Sequence, residues 1–212
     1  MKTARRPDEL EQIRNRILDA AVEIIINQGF DALTMRKLAS RIGMTAPNIY
    51  NYFANKDELY ITIVIMGFER LRESLEQAYC QSDDPVVRAR CMMDSYMKFG
   101  RENSAYYEIM FIRTTPKYRD YIGTPYEKLS EIEYRISMEI ARLAMNALSD
   151  LVGGDNALTQ ETVLKNMVRV WSTLHGMISL FNSDMIEYVV PSAEKVYSQV
   201  IDDLVKLLAD AR

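Results

Sequence analysis

Three runs decide how this chain folds: Gly29-Phe-Asp-Ala-Leu-Thr-Met-Arg-Lys-Leu-Ala39, Ile42-Gly-Met-Thr-Ala-Pro-Asn-Ile-Tyr-Asn-Tyr-Phe53 and Asn55-Lys-Asp-Glu-Leu59. Thr34 carries the oxygen a helix N-terminus wants, and Leu38, Ala39 and Ile42 follow at inward spacing until Gly43 stops the helix. Thr45 caps a second short helix, Ala46 to Tyr52, where Pro47 sits in a first turn whose amides have no intrahelical acceptor. Ala39 is small enough to let the two helices cross closely, and Ile49 and Phe53 anchor them inward. Two short helices joined through Gly43 form a helix-turn-helix, which places its second helix in the DNA major groove.

Working outward, the periodicity stays helical. Leu10, Ile13, Ile17, Ala20, Ala21 and Ile24 predict a first helix that Gly29 ends. Asn55 to Glu58 resembles a capping box and opens a long helix through Leu59, Ile63, Leu71, Leu75 and Ala78; extended to Cys80 it spans about 37 Å. Asp84-Pro85 restarts a helix to about Gly100, Ser104 caps another to about Arg113, and Thr114 to Thr124 reads as a loop. Leu129 to Leu151 is amphipathic and ends at Gly153-Gly154. The helix from Thr159 to about Phe181 is apolar on several faces, so it is expected to be buried on more than one side. A last helix runs from Ser192 to about Ala211. The fold class is all-α, divided into a helix-turn-helix domain over 1–55, a connecting helix over 56–80 and a helical domain over 81–212.

Composition narrows the function. At 48% hydrophobic and 26% charged, with few Gly and Pro, the 212-residue chain reads as a compact protein rather than a disordered or repetitive one. No uncharged run approaches the roughly 20 residues a bilayer needs, and no apolar segment follows the N-terminal basic residues, so a cytoplasmic protein with no membrane partner is expected. Cys80 and Cys91 make neither a disulfide framework nor a zinc site. The net charge of -4 argues against nucleic acid until its distribution is read. Residues 1–56 hold nine Lys/Arg, including Lys2, Arg5 and Arg6, against six Asp/Glu; the head is +3 and the remainder -7. A basic head on an acidic body suits a small domain that meets an anion.

The combined runs closely resemble the N-terminal domain of TetR-family transcriptional regulators, a match over about the first 60 residues. The resemblance implies that Thr34, Thr45, Tyr50 and Lys56 meet phosphates of double-stranded operator DNA, a role suited to hydroxyls and an ammonium group. It implies base contacts from Ala46, Pro47, Asn48, Asn51 and Tyr52, since Asn pairs with adenine and Ala or Pro touches a thymine methyl. No Arg or Lys lies between Gly43 and Phe53, which leaves Arg36 as the nearest basic candidate for a base. Tyr50 and Tyr52 read alternatively as packing aromatics, and Lys56 as a solubilising charge.

The same resemblance implies a C-terminal ligand-binding and dimerisation domain. Trp171, His175 and Gly176 form a W-x-x-x-H-G pattern similar to one in some family members; a hydrogen-bonded core histidine is the alternative for His175. Aromatics and methionines concentrate in the middle of the chain, and pocket candidates are Met92, Tyr96, Phe99, Tyr107, Met110, Tyr134, Met138, Trp171 and His175. Flexible Met and phenols suit an apolar or aromatic small-molecule effector, although such stripes also make ordinary core. Arg113 and Arg135 leave room for a carboxylate. Dimer-interface candidates are Leu174, Ile178, Phe181, Val200, Leu204 and Leu208, half of an intermolecular four-helix bundle. A single histidine and no clustered nucleophile and base give no catalytic residues, no metal site and no cofactor. The expected function is a homodimeric repressor that releases a palindromic operator when its effector binds. A DNA-binding regulator without a small-molecule ligand and a helical lipid carrier are the alternatives.

Overall fold

The computed structural model describes residues 7–152 and 160–210, and the described residues contain helices and no strands. The expected Gly153-Gly154 stop, the helix start at Thr159, the end at Ala211 and the charges of Lys2, Arg5 and Arg6 lie outside the described residues. The helices are α1 Pro7–Gln28, α2 Met35–Arg41, α3 Ala46–Ile49, α4 Lys56–Tyr79, α5 Pro85–Glu102, α6 Ser104–Tyr107, α7 Glu127–Val152, α8 Gln160–Asn182, α9 Met185–Val189 and α10 Ala193–Ala209. No described helix is long and apolar enough to cross a membrane.

The chain forms two compact units, one gathering residues up to Phe68 with Ala105–Arg135, the other Glu69–Ser104 with the chain from Ile136. The division falls inside α4 and α7, and differs from cuts at 55 and 80 by returning the 105–135 segment to the head.

In the head, α1 buries Ile17, Leu18, Ala21, Ile24 and Ile25, and its core is completed by Leu33, Leu38, Ile49, Phe53 and Leu59. Thr34 Oγ1 accepts from the Lys37 amide at 3.2 Å and starts α2, and Gly43 takes φ 68°, a left-handed turn that costs glycine little. The third helix ends at Ile49, so Tyr50 to Tyr52 form a turn rather than the further helical residues expected. Asn55 Oδ1 accepts from the amides of Asp57 and Glu58 at 3.0 Å; Glu58 completes only part of the expected box, reaching back to the Ala54 amide at 2.6 Å.

Segment 105–135 grips this head through specific bonds. Arg113 donates to the Ile26 carbonyl at the end of α1 (2.6 Å), Tyr60 to the Pro116 carbonyl (3.1 Å) and Tyr121 to the Asp57 carboxylate (3.3 Å). Phe111 meets Phe68 edge to face. The expected helix to Arg113 changes character after Tyr107, widening to a π-helical turn over Glu108–Ile112, and the expected 114–124 loop contains a 3-10 turn, Tyr118–Tyr121.

The body is built on α5, α8 and α10, which pack pairwise. Gly100 lets α5 approach α8 so closely that a Cβ there would lie 2.6 Å from Ile178 Cδ1. Asn182 donates to the Gly100 carbonyl at 3.0 Å, and Tyr197 to that of Met177 at 3.0 Å.

Candidate nucleic-acid interface

The two short helices of the head bury one side and leave the other open. Leu38, Ala39 and Ile49 are inside, while Thr34, Arg36, Thr45, Pro47, Asn48, Tyr50 and Asn51 are exposed and Ala46, Tyr52 and Lys56 half-buried. One continuous segment therefore presents hydroxyls, amides, an aromatic and cations, the groups that hold phosphates and read base edges. Thr34 accepts the Lys37 amide; Thr45 begins α3 with no capping bond from its side chain. Tyr50 is 53% exposed, against packing as its role, whereas half-buried Tyr52 offers its backbone carbonyl to Arg14. Lys56 Nζ lies 4.4 Å over the Phe30 ring, so its ammonium is anchored rather than freely swinging.

A cleft of about 460 Å³ opens beside α2, lined by Ile24, Gln28, Thr34, Arg36, Lys37, Ser40 and Arg41. Lys37, Ser40 and Arg41 are not among the expected DNA contacts, although Lys37 and Arg41 stand four apart on α2 and so share a face. Lys37 bonds Gln28, and Arg41 pairs with Glu23. Part of the head's positive charge is thus committed to holding α1 and α2 in place.

The effector candidates divide between the units. Tyr107, Met110 and Tyr134 belong to the head; the first two are buried, and Tyr134 is exposed and stacks on Tyr118 at 5.0 Å. Met92, Tyr96, Phe99, Met138, Trp171 and His175 belong to the body. There Met92, Tyr96 and Phe99 are buried, Trp171 Nε1 donates to the Tyr96 hydroxyl at 2.9 Å, and Trp171 meets His175 edge to face. Burial lowers the His175 pKa, favouring neutral imidazole. In the head, burial raises the Glu133 pKa to about 7 against the opposing charge of Lys117, itself lowered by burial.

Four of the six expected dimer residues lie inward. Leu174, Ile178, Leu204 and Leu208 are buried within their own chain, and Phe181 carries the Arg101 guanidinium at 3.9 Å. Val200 is half-buried. The buried side chains of α8 and α10 thus fill the body's own core, while Phe181 and Val200 keep part of their surface open. Outward on α8 lie Leu164, Val168 and Trp171, all exposed, with half-buried His175 at the next turn; Leu207 is the exposed apolar residue of α10. Their spacing of four, three and four was readable, but in a helix apolar all round nothing marked this stripe as the outward one.

Comparison with known proteins agrees with the fold and the head. Residues 17–63 match the family model described as bacterial regulatory proteins, tetR family, and residues 89–204 match the Tetracyclin repressor-like, C-terminal domain. The chain is 26% identical over 149 residues to the HTH-type transcriptional activator FasR of Mycolicibacterium smegmatis, covering 70% of this chain and 62% of that protein. It is 29% identical over 97 residues to the transcriptional repressor KstR of the same organism, covering 46% and 48%. The chain thus spans about half to three-fifths of these relatives. Among solved structures, a TetR-family regulator from Bordetella parapertussis superposes with TM-score 0.72 at 16% identity, covering 94% of this chain and 95% of that one. FadR of Bacillus subtilis, solved with stearoyl-CoA, gives 0.66 at 14%, covering 93% and 98%.

Proposed function

This chain belongs to the TetR family of bacterial transcriptional regulators, and from that premise we propose that it is a homodimeric repressor which releases a palindromic operator when a mostly apolar small molecule binds its body. The observation that carries the reading is the exposed polar face of α2, α3 and the following turn, held by buried Leu38, Ile49 and Phe53. Thr34, Thr45, Tyr50 and Lys56 hold phosphates in this reading, and Arg36, Ala46, Pro47, Asn48, Asn51 and Tyr52 meet bases. A second copy packs on the outward stripe of α8, through Leu164, Val168 and Trp171, because a row of exposed apolar side chains on one helix wants cover.

In this reading the effector site draws on Met92, Tyr96, Phe99, Met138 and Trp171 of the body, where methionines can repack and the indole of Trp171 bonds the Tyr96 hydroxyl. The acyl chain of the stearoyl-CoA held by FadR supports an apolar effector class. Such a ligand acts only if it binds the released state more tightly, since equal affinity shifts nothing. A regulator without any ligand is the second reading, favoured by the burial of Met92, Tyr96 and Phe99.

The test is a mobility shift with duplexes that the protein selects from a random pool. A palindromic site bound by a dimer supports the reading, and loss of the shift on adding a long-chain acyl thioester supports the effector class. No enrichment of any sequence overturns the DNA-binding assignment.

A further inference from the structure

Arg14 lies on α1, outside the helix-turn-helix, yet its side chain reaches the end of the recognition segment. Its Nη1 donates to the Tyr52 carbonyl at 3.2 Å, and its guanidinium carbon sits 4.3 Å from the centroid of the Phe53 ring. The third helix is a single turn, Ala46–Ile49, and the turn that follows carries Asn51 and Tyr52. So short a helix does not hold its own direction, because nucleating one turn is unfavourable without outside contacts. Thr45 gives it no side-chain cap at the front, and Ile49 and Phe53 anchor only its inner side. The Tyr52 carbonyl lies beyond the last carbonyls of α3, so the bond from Arg14 ties down the turn that carries Asn51 and Tyr52 rather than the helix end itself. Two residues on, Arg16 donates to the Ile42 carbonyl that closes α2, at 3.4 Å, so α1 reaches the end of α2 and the turn that follows α3.

We propose that Arg14 is a positioning residue for sequence recognition: by clamping the Tyr52 carbonyl and the Phe53 ring it fixes the aim of Asn48, Asn51 and Tyr52 without itself touching DNA. The planar guanidinium bonds a carbonyl in its plane while stacking its face on a ring; an ammonium does not do both. The clamp therefore depends on the fork and the face rather than on charge alone. This inference rests on the DNA-binding reading above.

The experiment uses the full-length protein and the duplex that the wild type selects from a random pool, beside a scrambled duplex of equal length. Arg14→Gln and Arg14→Lys are compared with wild type by anisotropy across a salt series, with melting and circular dichroism on the same samples. The expected result is a loss of roughly tenfold on the selected duplex for both variants, little loss on the scrambled one, and an unchanged salt slope. Phe53→Leu, which removes the ring but keeps an apolar anchor, is expected to reproduce the specific loss, and the double variant Arg14→Gln/Phe53→Leu to lose less than the two added. A salt slope reduced by about 1, with full rescue by Arg14→Lys, makes Arg14 a phosphate contact and overturns the proposal. Unchanged discrimination between the duplexes in both Arg14 variants overturns it too, including when their melting temperature falls. If the wild type selects no duplex, the DNA-binding reading fails, an outcome distinct from either.

Discussion

In the head, several boundaries have a chemical reason within a few residues of them: Thr34 accepts the Lys37 amide, Gly43 turns at positive φ, and Asn55 accepts two amides of the next helix. In the body, the decisive facts are distances between residues far apart in sequence, such as Gly100 against Ile178 or Tyr96 against Trp171. The same 3.6-residue periodicity runs through both regions. Local chemistry identifies an element in the head; in the body it announces a buried face without naming what covers it. The head should thus respond most to changes of caps and charges, and the body to changes of volume.

The largest effect should separate the inward and outward faces of α8. Ile178 is fully buried within the chain, so Ile178→Ala should cost about 2–5 kcal/mol in chemical denaturation whatever the oligomeric state. Val168 is 60% exposed, and Val168→Glu should leave the fold intact while sedimentation shows the dimer replaced by monomer. A normal dimer in Val168→Glu would move the protomer contact off this stripe.

Next come two glycines under close contact. In the body a Cβ on Gly100 would meet three atoms of one β-branched side chain, Ile178, at 2.6, 2.7 and 2.9 Å. In the head a Cβ on Gly67 would press first on the sulfur of Met110, the far part of a flexible chain. Gly100→Ala should therefore cost about 1–3 kcal/mol by overpacking and Gly67→Ala less than 1 kcal/mol. Melting curves check the order, and equal losses would show that α5 and α8 relax as freely as a methionine.

A third, smaller contrast lies within the head. Thr34→Ala removes a capping acceptor and should cost about 1 kcal/mol of stability as well as DNA affinity. Thr45 caps nothing with its side chain, so Thr45→Ala should weaken DNA binding while leaving the melting temperature within error. Equal destabilisation by both would mean that Thr45 supports the fold in some other way.

These contrasts also mark what the sequence could reveal. The helix-turn-helix was legible because Thr34, Gly43 and Asn55 act locally. The early end of α3 was not, since no residue from Tyr50 to Tyr52 breaks a helix and the turn is held by Arg14, thirty-eight residues away. Leu174, Ile178, Leu204 and Leu208 were legible as apolar stripe residues, but a stripe has the same pattern whether its partner is its own chain or another copy. The return of 105–135 to the head depended on Arg113, Tyr121 and Tyr126, whose bonds to Ile26, Asp57 and Asn55 span dozens of residues. Helix α9 was missed because it is five residues long and follows Asp184 at φ 57°, a conformation not foreseeable for an aspartate.

The smallest expected effect tests the two regions by pH, with opposite signs. Burial raises the head's Glu133 from 4.5 to about 7, so the folded head holds this proton more tightly than the unfolded chain. The stability this contributes is complete below about pH 4.5 and disappears as pH rises to about 7. Glu133→Gln stays uncharged throughout; relative to wild type it should gain stability over that interval and hold the gain at pH 8. Burial lowers the body's His175 below 6.5, so its contribution is present above 6.5 and lost as pH falls, and His175→Asn should gain relative to wild type only on the acid side. Melting curves of both variants against wild type at pH 4.5, 6, 7 and 8 check the pair. Glu133→Gln running parallel to wild type across the series would show that its carboxylate reaches water, and a rising gain for both variants toward high pH would remove the opposition between head and body.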